Sequence, residues 1–241
     1  METGQSEDSS APLRPGMNLP MNKRTLLAWS SGKDSAWALH ALRRDPEVEV
    51  AGLFTVVNAR HRRVSIHGVR EEILRLQAKS IALSLSVIEI PDPCSHEQYE
   101  SAMRAFVDEA KSRDIARMAF GDLFLQDVRA YREKNLAGTG IEPVFPLWGE
   151  PTGTLARKMI SSGLRAFVTC IDPKKLPRDF AGRPFDKSFL ADLAPGIDPC
   201  GENGEFHTVA VAGPMFARPI PIRIGDIVER SGFVFADVLP A

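Results

Sequence analysis

The stretch LLAWSSGKDSAWAL, Leu26 to Leu39, sets six small or charged residues between an apolar run and an amphipathic one. Arg24 to Trp29 reads as a short buried strand, and from Ser35 onward Trp37, Leu39 and Leu42 recur with helical spacing. Strand, tight turn and helix start together make a phosphate-binding geometry, because the leading amides of a helix have no intrahelical partner and point at whatever anion lies there. Lys33 adds a mobile point charge to that turn. The same residues also fit a plain turn closed by a Ser or Asp helix cap. A Walker-type loop requires Gly six positions before its Lys and Ser or Thr directly after it, whereas this chain has Leu27 and Asp34 there. The turn is therefore shorter. Asp34 brings a carboxylate beside the phosphate position, which suits Mg²⁺ held by carboxylates and phosphate oxygens together.

Working outward, the 241 residues suffice for one large domain or a domain with an appendage. Apolar content of 44% and charged content of 25% are those of a globular chain. A formal net charge of −1 argues against nucleic acid as a general partner. Cys94, Cys170 and Cys200 form no CxxC pair and no zinc spacing, which suits a reducing, cytoplasmic setting. No apolar run reaches the length of a membrane span, so no membrane partner is expected. Residues 1–22 are polar and rich in Pro, Gly and Ser. They read as a disordered tail, with Met17 and Met21 as alternative starts.

Beyond the opening unit, strands are expected at 48–56, 86–90, 117–120, 142–145 and 164–171, and helices at 70–83, 97–113, 127–136 and 152–161. That alternation predicts βαβ crossovers and a mostly parallel sheet covered on both faces. After Pro173 the rhythm changes to a short helix near 186–193, a strand at 206–211 and a hairpin turning at Ser231-Gly232. The predicted architecture is thus α/β: residues 23–171 form a Rossmann-like nucleotide unit, and 172–241 form a smaller α+β subdomain that binds substrate.

Ligands of open parallel sheets bind at the carboxyl ends of strands where the strand order reverses. If the first strand is central, the loop after the strand at 117–120 faces it. Gly121 there permits close backbone approach, and Asp122 offers a second carboxylate for Mg²⁺ or ribose. A polar strand-end turn is the alternative. Near the C-terminus, CGENGEFHT carries Glu202 and Glu205 between Gly201 and Gly204, followed by His207 and Thr208. Such carboxylates can bind an amine, position ammonia or act as a general base. A Gly-Asn-Gly turn with solvated charges fits the same residues.

WSSGKDSAWAL, IHGVR, GDLFLQDVRAYREK, PLW and CGENGEFHT follow one another in an order that resembles the diphthine–ammonia ligase family of PP-loop ATP pyrophosphatases. The resemblance covers nearly the whole chain from about residue 23. It implies the adenine nucleotide α-hydrolase fold, with cleavage of ATP to AMP and pyrophosphate. It further implies activation of a carboxylate, small or protein-borne, as an acyl-adenylate, and amide formation with ammonia or an amine. By motif match Ser30, Ser31, Gly32, Lys33, Asp34 and Ser35 fall on the nucleotide loop, Ser31 standing where the family has Gly. Gly121 and Asp122 complete the ATP site, and Asp34 and Asp122 hold Mg²⁺. His67, Arg129, Glu133, Gly201, Glu202, Gly204, Glu205, His207 and Thr208 lie on the substrate side, and Lys33, Asp34 and Glu205 carry the chemistry. His207 replaces the acid of diphthine-acting members, and Asp122 replaces a small residue. An imidazole supplies no fixed negative charge for a trimethylammonium group, so an uncharged or anionic carboxylate is the expected acceptor.

On spacing alone Arg129 and Glu133 read more readily as a surface i,i+4 ion pair than as catalytic groups, and His67 more readily as a surface or hydrogen-bonded histidine. Trp148 reads as packing and Cys200 as inert. Two other readings stay open: a PP-loop RNA sulfur transferase, which would need reactive cysteines, and a non-catalytic ATP or AMP sensor. A homo-oligomer is compatible with everything above.

Overall fold

The computed structural model describes residues 22–64 and 67–241. The expected tail at 1–22 lies, but for its last residue, outside the described residues. Strand β1 (Lys23–Ala28) is central. It pairs in parallel with β2 (Val48–Asn58) on one edge and with β5 (Arg117–Ala119) on the other. Leu53 and Phe54 of β2 pair with β1 and with β4 (Leu85–Ile90) at once, so β4 occupies the outer edge of β2. On the far side β5 carries parallel β6 (Glu142–Val144). The parallel order β4-β2-β1-β5-β6 reverses between β1 and β5, as expected of a Rossmann-like sheet. A two-residue strand β3 (Arg63–Val64) adds antiparallel to the last residues of β2 and escapes sequence reading because it has no period to detect.

Successive residues of a strand face opposite sides. Accordingly Leu27 points into a core shared with α1 (Lys33–Leu42) and α2 (Glu71–Ile81), while Leu26 joins Phe54, Phe106 and Met118 beneath α3 (His96–Ser112). Helix α4 (Gln126–Leu136) is polar and buries only Leu136. Helix α5 (Thr152–Ser161) falls on the span its apolar spacing predicts.

One expectation fails. The strand at 164–171 does not extend the parallel sheet. As β7 (Arg165–Ile171) it lies inside a second, antiparallel sheet of order β8-β7-β10-β9, with β8 at Phe206–Ala212, β9 at Ile222–Arg230 and β10 at Phe233–Pro240. A strand buried on both faces reads as a continuous apolar run in either kind of sheet, so the pattern cannot name its partners. The β9–β10 turn has Ser231 at φ 52° and Gly232 at φ 79°, the left-handed pair of a type I′ hairpin. Short α6 (Lys187–Asp192) is capped by Asp186. One continuous core joins both sheets, since Leu27, Trp37 and Ile73 pack in the same cluster as Val168, Phe206 and Val234. Among the described residues no helix is long and apolar enough to cross a membrane.

Candidate functional site

The loop after β1 is built from inside. Trp29 Nε1 donates to the buried Gln77 Oε1 at 2.8 Å. Gln77 Nε2 donates in turn to the carbonyls of Ser31 (2.9 Å) and Ala210 (2.7 Å). The Ala210 amide donates back to the Ser31 carbonyl at 2.9 Å, so strand β8 is bolted to the loop. Ser31 has φ 74°, the left-handed region that favours glycine, and its buried Oγ lacks a hydrogen-bond partner. The residue capping α1 is Gly32, without a side-chain cap, in place of the Ser or Asp cap of a plain turn. A Cβ on Gly32 would stand 3.2 Å from the Thr208 carbonyl oxygen and 3.4 Å from His67 Cε1. Ser35 Oγ donates to the Gly32 carbonyl at 3.0 Å, and Ser30 Oγ to Ser35 Oγ at 3.2 Å.

Lys33 is not the mobile charge its loop position suggests. Its side chain is 2% exposed and its Nζ donates to Asp34 Oδ2 at 2.8 Å and to the Cys200 carbonyl. The rings of Phe185 and Phe206 stand 5.5 and 5.2 Å from Nζ. Burial, the largest single effect, would lower the lysine, but the Asp34 carboxylate together with Cys200 and Glu202 outweighs it and holds Lys33 protonated, its pKa raised. The ammonium is fixed beneath the loop by groups far downstream in the chain, Cys200 lying 167 positions away. The Lys33 amide donates to Thr208 Oγ1 at 3.1 Å, which brings the C-terminal signature onto the helix N-terminus.

The β5 loop closes the other side. A Cβ on Gly121 would lie 3.1 Å from Asp34 C and Ser35 N, so only glycine lets the two loops meet this closely. Asp122 Oδ2 stands 3.5 Å from Arg132 Nε, too far for a good hydrogen bond. Glu202 Oε1 accepts the Leu123 amide at 2.7 Å. Burial pushes the Glu202 carboxyl up to about 7, the Leu123 amide opposing and the nearby Asp34 and Asp122 adding to it. Buried Asp34 Oδ1 and Asp122 Oδ2 both lack hydrogen-bond partners. Among the described residues no group of three or more His, Cys, Asp or Glu is arranged to hold a metal. Two orphaned carboxylate oxygens nevertheless fit a cation whose other ligands are phosphate oxygens and water.

The signature loop is ordered by its own acids. Asp198, which sequence reasoning missed, accepts the Cys200 (2.8 Å) and Glu202 (3.2 Å) amides and the Thr152 hydroxyl (2.6 Å). Its Asp-Pro-Cys-Gly setting is a turn signal that could have marked it. Glu205 is buried; Oε1 accepts from the Asp198 amide and from Asn203 Nδ2, both at 3.2 Å, while Oε2 has no partner. Gly201, at φ 70°, has room for no side chain, as a Cβ would fall 2.7 Å from the Phe206 carbonyl oxygen. Gly204, at φ 78°, faces open space.

His67 and His207 lie against each other with ring centroids 4.5 Å apart. Burial lowers His67 to about 4 and His207 to about 2, with the Lys33 charge acting the same way, so both rings are neutral at pH 7. Arg129 pairs with Glu133 at 2.8 Å and lies over the rings of Phe145 and Trp148. Among the described residues neither makes a hydrogen bond or ion pair with Ser30–Ser35. Burial pushes the Cys170 thiol up to about 12 and raises Cys200 further. Gln77, Phe185 and Arg132 join Asp198 as residues missed, because nothing in their local pattern marks them.

A family model described as the diphthamide synthase N-terminal domain matches residues 23–143, and one described as its C-terminal domain matches 151–235. Similar curated proteins carry the name diphthine–ammonia ligase. The human one is 25% identical over 161 residues, 64% of this chain and 60% of that protein. The bovine one is 25% identical over 151 residues, 60% and 56% respectively. The protein of Danio rerio is 31% identical over 120 residues, 47% of each. The chain thus spans between about half and three fifths of the length of these relatives.

Proposed function

The chain belongs to the diphthamide synthase family, and on that premise we propose that it is an ATP-dependent, AMP-forming ligase joining ammonia or an amine to a carboxylate. The observation that carries the reading is the seating of β8 on the loop, with Thr208 on the Lys33 amide and Ala210 on the Ser31 carbonyl. Nucleotide loop and acceptor signature are then two walls of one site.

In this reading Ser30–Ser35, Gly121 and Asp122 receive the triphosphate, and Lys33 acts as a fixed positive charge below it, preorganised and free of reorganisation cost. Asp34 and Asp122 would hold Mg²⁺, which when bound neutralises phosphate charge. A carboxylate oxygen of the substrate attacks the α-phosphorus, and the bond to pyrophosphate breaks. Nitrogen then attacks the acyl carbon, the bond to AMP breaks, and a proton leaves the nitrogen. Glu202, poised at about 7, suits that proton. Glu205 Oε2, buried and unpartnered, suits the incoming amine. The raised thiols of Cys170 and Cys200 count against sulfur transfer.

The neutral His67–His207 pair offers no negative charge to a quaternary ammonium. At an effective dielectric near 20, one unit charge in close contact is worth on the order of a few kcal/mol. An uncharged or anionic carboxylate is therefore the preferred acceptor. The test supplies ATP, Mg²⁺ and ammonium with either diphthine-bearing elongation factor or a panel of small carboxylates. It reads AMP, pyrophosphate and the mass change of OH-to-NH₂ exchange. We expect AMP and amide with a small carboxylate, and diphthine amidation only in His207→Glu. No AMP in any arm would overturn the ligase reading. Efficient diphthine amidation by the wild type would overturn the acceptor preference alone.

A further inference from the structure

Away from the loop and the signature, a cavity of about 350 Å³ opens between α3 and α4. Its cause is the composition of α4, which buries only Leu136 and so does not fill the space beside the sheet. The helix is held instead by cation–π contacts, Arg132 over Phe120 at 4.8 Å and Arg129 over Phe145 and Trp148. Met103, Val107, Met118, Phe120 and Leu136 make an apolar wall, and Tyr99 and Tyr131 flank it. A pocket of this size, with one apolar wall and a polar rim, is what small ligands occupy.

Two cations sit on this cavity without full partners. Arg132 Nε is buried and has no hydrogen-bond partner, Asp122 being 3.5 Å away. Lys134 makes no ion pair among the described residues. Arg104 is paired with Glu100 at 3.8 Å, and Asp108 with Lys111 at 3.9 Å. The buried Nε faces Asp122 rather than the cavity, but the lining as a whole sets three cations, Arg104, Arg132 and Lys134, against two carboxylates, Glu100 and Asp108, an excess of positive charge that suits an anion.

We propose that the α3–α4 cavity is a binding site for a small aromatic anion, its ring against Met103, Tyr99 and Phe120 and its carboxylate, phosphate or sulfonate on Arg132 and Lys134. The site does not depend on the ligase reading, and it lies beside the β5 loop, whose Asp122 is the ion-pair partner of Arg132. Aromatic faces and thioethers suit a flat ring, and the guanidinium suits an oxyanion.

The probe is anilinonaphthalene sulfonate, titrated into the full chain by calorimetry and fluorescence, with and without saturating ATP and Mg²⁺. The expected result is one-to-one binding with a blue-shifted emission that survives nucleotide saturation. Arg132→Gln should weaken it about tenfold or more, and Lys134→Ala, exposed and without a packing role, roughly two- to fivefold. Met103→Trp, which fills the cavity, should abolish binding; if that variant does not fold, the two charge variants decide. Displacement of the probe by ATP would overturn the proposal by assigning the cavity to the nucleotide. Absence of binding, or equal binding in Arg132→Gln and Lys134→Ala, would also overturn it.

Discussion

Replacing Ser31 by glycine should stabilise the chain, although it deletes atoms from a fully buried position. The left-handed backbone at φ 74° costs a residue with a Cβ roughly 1–2 kcal/mol. The buried hydroxyl without a partner adds about 1–3 kcal/mol of unrecovered desolvation. Against these stand the extra chain entropy of glycine, about 0.5–1 kcal/mol, and the lost burial of one methylene-sized group, about 0.8 kcal/mol. At mid-range the balance favours glycine by about 2 kcal/mol, a rise of roughly 4–8 °C in Tm for a chain of this size. Ser31→Ala removes the hydroxyl but keeps the backbone penalty; because the entropy and burial terms offset that penalty, it should stand within about 1 kcal/mol of the glycine variant, and β-branched Ser31→Val should lose stability. Thermal melts by circular dichroism and urea titration of the four proteins read the order directly. A glycine variant more than about 1 kcal/mol less stable than the alanine variant would refute the backbone argument. A loss in both would refute the hydroxyl argument as well, because the Oγ would then have a partner.

Two further outcomes follow from charges in the same site. Lys33 is 2% exposed and Asp34 26%, so the costly half of the pair to orphan is the lysine. Asp34→Asn should cost about 3–5 kcal/mol, and adding Lys33→Met should recover most of it while AMP release stays absent; equal stability of the single and double variants by urea denaturation would sink this. Glu202 has a folded pKa of about 7 against an ordinary value of 4.5, so the native state binds its proton more tightly than the unfolded chain. Its contribution is therefore fully present below about 4.5 and is lost as pH rises through about 7. Discounted for its partial exposure, the change is about 1–2 kcal/mol. It should vanish in Glu202→Gln, and an unchanged slope in that variant would assign the effect to another group.

The nucleotide loop and helices α2 to α5 were legible because their signals are local: apolar spacing, a six-residue turn, and Pro and Gly punctuation. The expected switch between β1 and β5 held for the same reason, since one motif marked the first loop and a Gly-Asp pair the second. The partners of β7 were not legible, as its buried run carries no mark of parallel or antiparallel neighbours. Nor was the burial of Lys33, whose surroundings come from Phe185, Cys200 and Phe206. A lysine in a loop looks solvated until distant segments are folded onto it. Gln77 reads as one more polar residue on an amphipathic helix, and only the tertiary structure reveals three buried partners for its amide.

That amide has a consequence for how the chain could ever be divided. Gln77 belongs to the parallel-sheet half, yet one of its bonds ends on Ser31 and another on Ala210 of β8. A fragment stopping before β8 would leave the Gln77 carboxamide and the Ser31 carbonyl facing solvent in place of Ala210, and would strip the Phe206 ring from over the Lys33 ammonium. The parallel-sheet half is thus no free-standing cassette to be borrowed by gene fusion. The β1 loop reaches its folded form only when the last third of the polypeptide has been synthesised and docked.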